Sequence, residues 1–82
     1  MIGKELELLY LHTDREAVIR NPEALTLYRI RINNILGQNI QVYRDLSPAK
    51  EIRIPLPQMS AGVYIISLDS EKGTLQKKII IE

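Results

Sequence analysis

Hydrophobic residues are most continuous at positions 61–68, where the chain reads Ala, Gly, Val, Tyr, Ile, Ile, Ser, Leu. Both alternating faces of this stretch are largely apolar, which is typical of a strand in the middle of a packed sheet. A polar turn at 69–73 closes the stretch. We therefore expect the other strands of the chain to be organised around this one.

The first third of the chain has a less regular pattern. Residues 4–12 alternate at first between polar and apolar, which predicts a strand, but their Glu, Leu and Lys residues also favour helix. A short strand is predicted at 17–19, before Pro22 ends it. A helix over 14–20, with Asp14 as its N-cap, is the alternative for that segment.

Residues 25–35 show the period-2 pattern of a half-buried strand. One face is apolar and the other basic: Tyr28, Ile30 and Ile32 against Arg29 and Arg31. A turn at 33–38 follows, in which Gly37 suits a positive φ that other residues resist. The returning strand alternates as well: Ile40 and Val42 share one face, and Gln41 and Tyr43 share the other.

The second half of the chain contributes two further predicted strands. After a loop at 45–50, residues 51–56 alternate with their apolar side chains inward, and Pro55 and Pro57 place this strand at an edge because each lacks a backbone donor. Residues 74–82 form the last strand, whose inward face is ambiguous. Its two faces are Leu75, Lys77, Ile79 and Ile81 on one side and Lys78 and Ile80 on the other.

About seven short strands joined by tight turns predict an all-β fold, an antiparallel immunoglobulin-like β-sandwich. A small open barrel is the alternative. With 82 residues the chain is expected to form a single domain over 1–82.

Composition narrows the function classes. The net charge of +1 gives no general electrostatic attraction to nucleic acid or anionic membranes. Because Phe and Trp are absent, the chain has few aromatic side chains on which bases could stack. Cysteine is absent, which excludes disulfides and thiolate metal sites. No stretch is long and apolar enough to predict membrane insertion, and no signal peptide is recognisable. The chain is then either cytoplasmic or a fragment of a longer exported protein.

Candidate chemistry is sparse. His12 is the only histidine, and with Asp14 it makes at most half a metal site, so a surface role is expected. Arg29 and Arg31, with Arg53 on another strand, are interpreted as a solvated sheet face with neighbouring acids rather than a basic binding stripe. We expect no catalytic residues, no cofactor and no metal.

The C-terminus is the unusual feature. A Lys77 and Lys78 pair precedes three consecutive isoleucines at 79–81. Three exposed isoleucines would be an aggregation hazard, so they must be buried in the sheet or meant for another protein.

Three stretches taken in order resemble a known family: the Asn-Ile-Leu-Gly-Gln turn at 34–38, the Ala-Gly-Val-Tyr sequence at 61–64, and the Lys-Lys-Ile-Ile-Ile end at 77–81. They are similar to the C-terminal sorting domain (type A) of the type IX (Por) secretion system of Bacteroidetes. The order and spacing agree from Tyr28 to Glu82. Met59 and Ser60 stand where that family usually has Leu-Pro, and its early Pro-Asn-Pro has no counterpart at the matching place.

The resemblance implies a sorting signal rather than an enzyme. It implies a seven-stranded sandwich at the end of an exported cargo, recognised by the outer-membrane translocon and removed by a sortase-like cysteine peptidase. The expected location is the periplasm, then the outer membrane and cell surface or the medium. The candidate recognition residues are Gly37, Gln38, Gly62, Tyr64, Lys77, Lys78, Ile79, Ile80, Ile81 and Glu82.

Two further hypotheses remain. The domain could be an adhesion or carbohydrate-contact module that stays on a surface protein, with Tyr10 and Tyr43 as its candidate aromatics. Independently, short edge strands with terminal isoleucines predict an edge-paired or strand-swapped dimer in concentrated solution.

Overall fold

A computed structural model describes residues 6–46 and 49–82. Within these ranges the chain forms seven strands and no helix. The strands are β1 (Glu7–Leu11), β2 (Glu16–Arg20), β3 (Leu27–Asn34), β4 (Asn39–Arg44), β5 (Glu51–Pro55), β6 (Gly62–Ser70) and β7 (Gly73–Ile81). Residues 4–5 of the first predicted strand and residues 47–48 of the predicted loop lie outside the described residues.

The strands form two antiparallel sheets, one in the order β1-β2-β5 and one in the order β4-β3-β6-β7. The neighbours β2 and β5, and β3 and β6, are not consecutive in the chain, so the chain crosses between sheets as in Greek-key sandwiches. This confirms the predicted immunoglobulin-like sandwich. The helical alternatives over 4–12 and 14–20 are wrong wherever the structure describes those residues, which form β1 and β2.

β6 is one of the two inner strands of the larger sheet, as its apolar run predicts. It pairs with β3 on one side and with β7 on the other. Ile66 lies opposite Ile32, Leu68 lies opposite Ile30, and all four side chains are fully buried. Burying a side chain of this size contributes roughly 1.5–3 kcal/mol, so this cross-strand group is a large part of the core energy.

The smaller sheet closes the core from the other side. Its buried contributions come from β1, β2 and β5 and from the residue just after β5: Leu8, Ala17, Ile19, Ile54 and Leu56. β5 is an edge strand, which confirms the position predicted from its prolines.

The predicted inward face of β3 is wrong at one position. Leu27 pairs with Ser70 and Arg29 pairs with Asp69, so Tyr28 is the extra residue of a β-bulge. The bulge shifts the alternation by one residue. Leu27 is therefore buried in place of Tyr28, whose side chain is 54% exposed.

The register of β7 settles which of its faces points inward. Ile79 lies opposite the buried Tyr64, and Lys77 lies opposite the buried Ile66. The odd-numbered residues therefore face the interior, but β7 is an edge strand, and in the described part of the chain its main contact with the opposite sheet is to β1. This is why Ile79 is buried whereas Lys77, on the same face, remains exposed.

The crossover from β2 to β3 is built on a fully buried asparagine, Asn21. Its side chain accepts a hydrogen bond from the Leu25 N–H (2.9 Å) and donates one to the Leu25 carbonyl (3.0 Å). Its backbone N–H donates to the Lys50 carbonyl at 2.8 Å, and its carbonyl accepts from Ala24 at 3.0 Å. One residue thus ties the loop to itself and to the segment that enters β5.

The outer face of the larger sheet carries a cluster of charged residues around Asp69. Arg31 Nη2 donates to Asp69 Oδ1 at 3.0 Å, and Thr74 Oγ1 donates to the same oxygen at 2.7 Å. Arg29 Nε lies 2.8 Å from Oδ2 as a charge contact rather than an aligned hydrogen bond. This agrees with the interpretation of a solvated face with neighbouring acids. Arg53 lies on the other sheet.

These partners set the titration of Asp69. Burial raises the pKa of its carboxyl, but hydrogen bonds from Thr74 and Arg31 and the charges of the two arginines outweigh burial and hold that pKa below its ordinary 3.8. The folded state therefore binds this proton less tightly than the unfolded chain. The stabilisation is complete above pH 3.8 and is lost as the pH falls through the lower, folded-state pKa.

Replacing Asn21 with Ala should lower the free energy of unfolding by about 1–3 kcal/mol, because both backbone groups of Leu25 lose their partner. Urea unfolding followed by circular dichroism measures this. Asn39→Ala is the matched control, since Asn39 is exposed and its side-chain contact to Asn33 is 3.5 Å long. Equal effects of the two substitutions would contradict the role given to Asn21.

Asp69→Asn should destabilise the domain by roughly 1.5–3 kcal/mol at neutral pH, because it leaves Arg29 and Arg31 without their counter-charge. The difference from wild type should shrink as the pH falls from 3.8 through the lower folded-state pKa, because the wild-type carboxyl then becomes protonated in the folded domain as well. Urea unfolding of both proteins, at neutral pH and below pH 3.8, tests this. Glu51→Gln breaks an exposed pair with Arg53 and, because water screens that pair, should change the free energy of unfolding much less than Asp69→Asn does. A cost of Asp69→Asn that does not change with pH would sink the argument.

Candidate recognition surface

Three separate stretches of sequence meet at one end of the larger sheet. On β3, Asn34 pairs with Tyr64 of β6, so the β3–β4 turn at 35–38 lies just beyond this pair. On the other side of β6, Gly62 pairs with Ile81. The turn, the start of β6 and the end of β7 therefore form one end of the sheet, which we call the hairpin end.

The shape of the β3–β4 turn is fixed by Asn34. Its Oδ1 accepts hydrogen bonds from the N–H groups of Leu36 (3.0 Å) and Gln38 (2.9 Å), and its Nδ2 donates to Gln38 Oε1 at 2.7 Å. Its carbonyl accepts from the Gly37 N–H at 3.0 Å. Gly37 has φ +85°, a backbone angle that residues with a Cβ rarely adopt. The Asn-Ile-Leu-Gly-Gln sequence is thus explained by the turn it builds.

The turn presents two apolar side chains to solvent. Ile35 is 71% exposed and Leu36 is 82% exposed. Neither was among the residues selected from the sequence, although two large apolar residues inside an otherwise polar turn are a recognisable signal. Exposed apolar groups that cluster, rather than occur singly, mark interaction surfaces.

The start of β6 holds this end in place from the inside. Tyr64 is buried, and its hydroxyl donates to the Ser60 carbonyl at 2.7 Å. Gly62 has φ +156°, and a Cβ there would lie 3.7 Å from the Tyr64 ring. The Gly-Val-Tyr sequence therefore fixes how the chain enters the sheet, and the Tyr64 ring is not available to a partner of the folded domain.

The end of β7 divides its isoleucines between core and solvent. Ile79 is 4% exposed, Ile81 is half-buried, and Ile80 is 53% exposed on the outer face opposite Val63. The expected burial in the sheet is therefore confirmed for Ile79, whereas Ile80 is left exposed to solvent. Glu82 is exposed beyond the strand.

The ten candidate recognition residues do not all lie at the hairpin end. The hairpin end brings together Gly37, Gln38, Gly62, Tyr64, Ile79, Ile80, Ile81 and Glu82. Lys77 and Lys78 lie farther along β7, opposite Ile66 and Ile65, and both are exposed. These two lysines place positive charge on β7, away from the apolar hairpin end.

Beside the end of β7 runs a cleft open to solvent, of about 670 Å³, lined by Tyr10, His12, Arg15, Pro57, Gln58, Met59, Ile81 and Glu82. Tyr10 and His12 meet edge to face, with ring centroids 4.7 Å apart. Among the described residues, no three His, Cys, Asp or Glu side chains are grouped to hold a metal ion. The same residues contain no helix with the length and hydropathy to cross a bilayer.

The comparison with protein families agrees with this picture. The family of secretion system C-terminal sorting domains matches residues 13–82, a longer stretch than the motifs from Tyr28 onward. No curated protein sequence matches the chain. The family is one of sorting signals that direct export toward the cell surface or the medium, not of catalysts. The chain belongs to the secretion system C-terminal sorting domains, the sorting signals of type IX secretion.

Proposed function

We propose that residues 1–82 are the sorting signal at the C-terminus of a longer exported protein, read as a folded domain through the hairpin end and β7. An upstream signal peptide takes the cargo across the inner membrane. The outer-membrane type IX translocon then recognises the domain, and a sortase-like cysteine peptidase removes it at the cell surface. The domain is the substrate in this scheme and carries out no chemistry.

The convergence of the three sequence motifs at one end of one sheet carries this proposal. Stretches that are separated in the sequence are brought side by side by β3, β6 and β7. Three of the exposed side chains at this end of the sheet are large and apolar: Ile35, Leu36 and Ile80. A partner that reads the folded domain would find apolar anchors at this end of the sheet, with Lys78 on the same outer face of β7 as Ile80.

The motif residues then divide into two roles. Asn34, Gly37, Gly62, Tyr64 and Ile79 position the surface from within, by turn geometry and burial. The side chains proposed to contact the machinery are Ile35, Leu36, Gln38, Lys77, Lys78, Ile80 and Glu82.

The cleavage site is proposed to lie at or before the N-terminus of the 82 residues. A cut on the N-terminal side of β1, which begins at Glu7, leaves both described sheets intact. Release of the domain would then require no unfolding of it.

The alternative of a retained adhesion module has little support from its candidate aromatics. Tyr43 is half-buried, its hydroxyl donates to the Pro55 carbonyl at 3.1 Å, and burial raises its pKa. Tyr10 is half-buried and packed on His12. Mass spectrometry of the mature cargo separates the two functions, because only an adhesion module stays attached.

Replacing Ile35 and Leu36 together with Ser should reduce surface delivery of a reporter by about tenfold, the equivalent of about 1.4 kcal/mol of lost binding. The reporter carries a signal peptide and residues 1–82 in a bacterium competent for type IX secretion. Both side chains are exposed, so the urea unfolding midpoint should not change. Tyr28→Ser is the control, an exposed apolar-to-polar change at the opposite end of the same strand.

Deleting residues 77–82 should abolish delivery, because it removes both the lysines and the buried Ile79. If delivery persists after this deletion, the proposed function is wrong. If the Ile35 and Leu36 double variant is delivered normally while the deletion abolishes delivery, the sorting function stands and the turn is not the contact site.

A further inference from the structure

The outer edge of β7 is open. β7 is the last strand of its sheet, and alternate backbone N–H and C=O groups along its nine residues have no strand partner in the described part of the chain. Such an edge is a template for pairing with another strand. On the outer face of this edge, Ile80 is 53% exposed.

The charges of β7 select among the ways in which two copies could pair. A two-fold axis normal to the sheet keeps the two interiors on the same side and joins residues of the same face. Centring the pair on Lys77 or on Lys78 would set like charges directly opposite each other, which is destabilising. Full-length pairing of the strand around its middle is therefore disfavoured.

Centring the antiparallel pair on Ile80 gives a different result. Ile80 then meets its own copy, and Ile79 and Ile81 pair on the inner face. On the outer face, Lys78 of each copy lies opposite Glu82 of the other. Among two-fold registers within residues 73–82, this is the one that sets a lysine opposite a glutamate.

The same register completes an apolar band. Ile80 lies opposite Val63 of β6, which is half-buried. Joining two β7 edges at Ile80 places Val63, Ile80, and their two copies in a row across four strands. The contact removes the most exposed isoleucine of the strand from water, and the two Lys–Glu pairs flank it.

We propose that two copies of this domain associate through their β7 edges in the register centred on Ile80, forming a continuous eight-stranded sheet. The contact is short, so the dimer is weak and depends on concentration. Ile80, Lys78 and Glu82 are also proposed contacts of the secretion machinery. Dimerisation and recognition therefore exclude each other, a consequence that rests on the proposed function, whereas the dimer itself does not.

Charge reversal tests the register. Sedimentation velocity over a concentration series measures the dimer dissociation constant of the 82-residue domain. Lys78→Glu and Glu82→Lys should each weaken the dimer by about tenfold, because each makes both symmetric pairs repulsive. The double variant, with the charges exchanged, should restore wild-type dissociation. All of these positions are exposed, and circular dichroism checks that the variants fold.

The apolar part of the contact has its own control. Ile80→Thr should weaken the dimer, whereas Leu75→Thr, an exposed position on the same strand but outside the paired segment, should leave it unchanged. A wild-type domain that is monomeric at every concentration overturns the proposal. So does a dimer that ignores the single charge reversals, or one that the double variant fails to restore, since either pairs in another way. Failure of secretion assays would not bear on these results.

Discussion

The packing of β6 between β3 and β7 is the interaction on which the rest of the structure depends. Ile66 and Leu68 are fully buried on its inner face, where they meet Ile32 and Ile30 of β3. A shift of β6 by one residue in this register would turn Ile66 and Leu68 away from the core. Because the core fixes the register so strongly, it also fixes what lies on the outer face and at both ends of the sheet.

The two ends of β6 show how one register serves different purposes. At its C-terminal end, Asp69 is held between Arg29, Arg31 and Thr74, and the cluster stabilises the outer face without an apolar cover. At its N-terminal end, the chain enters the strand at Gly62, and the buried Tyr64 helps to fix the register with the neighbouring strands. The charged end of the sheet contributes to stability. The hairpin end is the one whose apolar side chains remain exposed to solvent.

Much of the fold could be predicted from alternation, because a half-buried strand must alternate. The failures have local causes. Tyr28 departs from the pattern because a bulge adds one residue, and a bulge depends on the partner strand rather than on the sequence around it. Asn21 precedes the proline that ends the predicted strand, yet it is a buried hub, since its Lys50 partner is distant in the sequence and is known only once the sheets are assembled.

The candidate site shows the same limit in another form. The motif residues Gly37, Gly62 and Tyr64 are easy to find in the sequence because backbone geometry and burial demand particular residue types. Ile35 and Leu36 are harder, since almost any residue would satisfy the turn that Asn34 builds. Sequence motifs therefore identify the frame of a recognition surface more readily than the side chains that touch a partner.

That distinction bears on β7, where frame and contact residues alternate along one strand. Ile79 must face inward to close the core, so Lys78 and Ile80 must face outward. A strand so constrained cannot bury all of its isoleucines within one copy of the domain. The apolar surface left at Ile80 therefore stays exposed in one copy of the domain, with a lysine and a glutamate two residues to either side. Under the two proposals made above, the secretion machinery and another copy of the domain compete for this single edge.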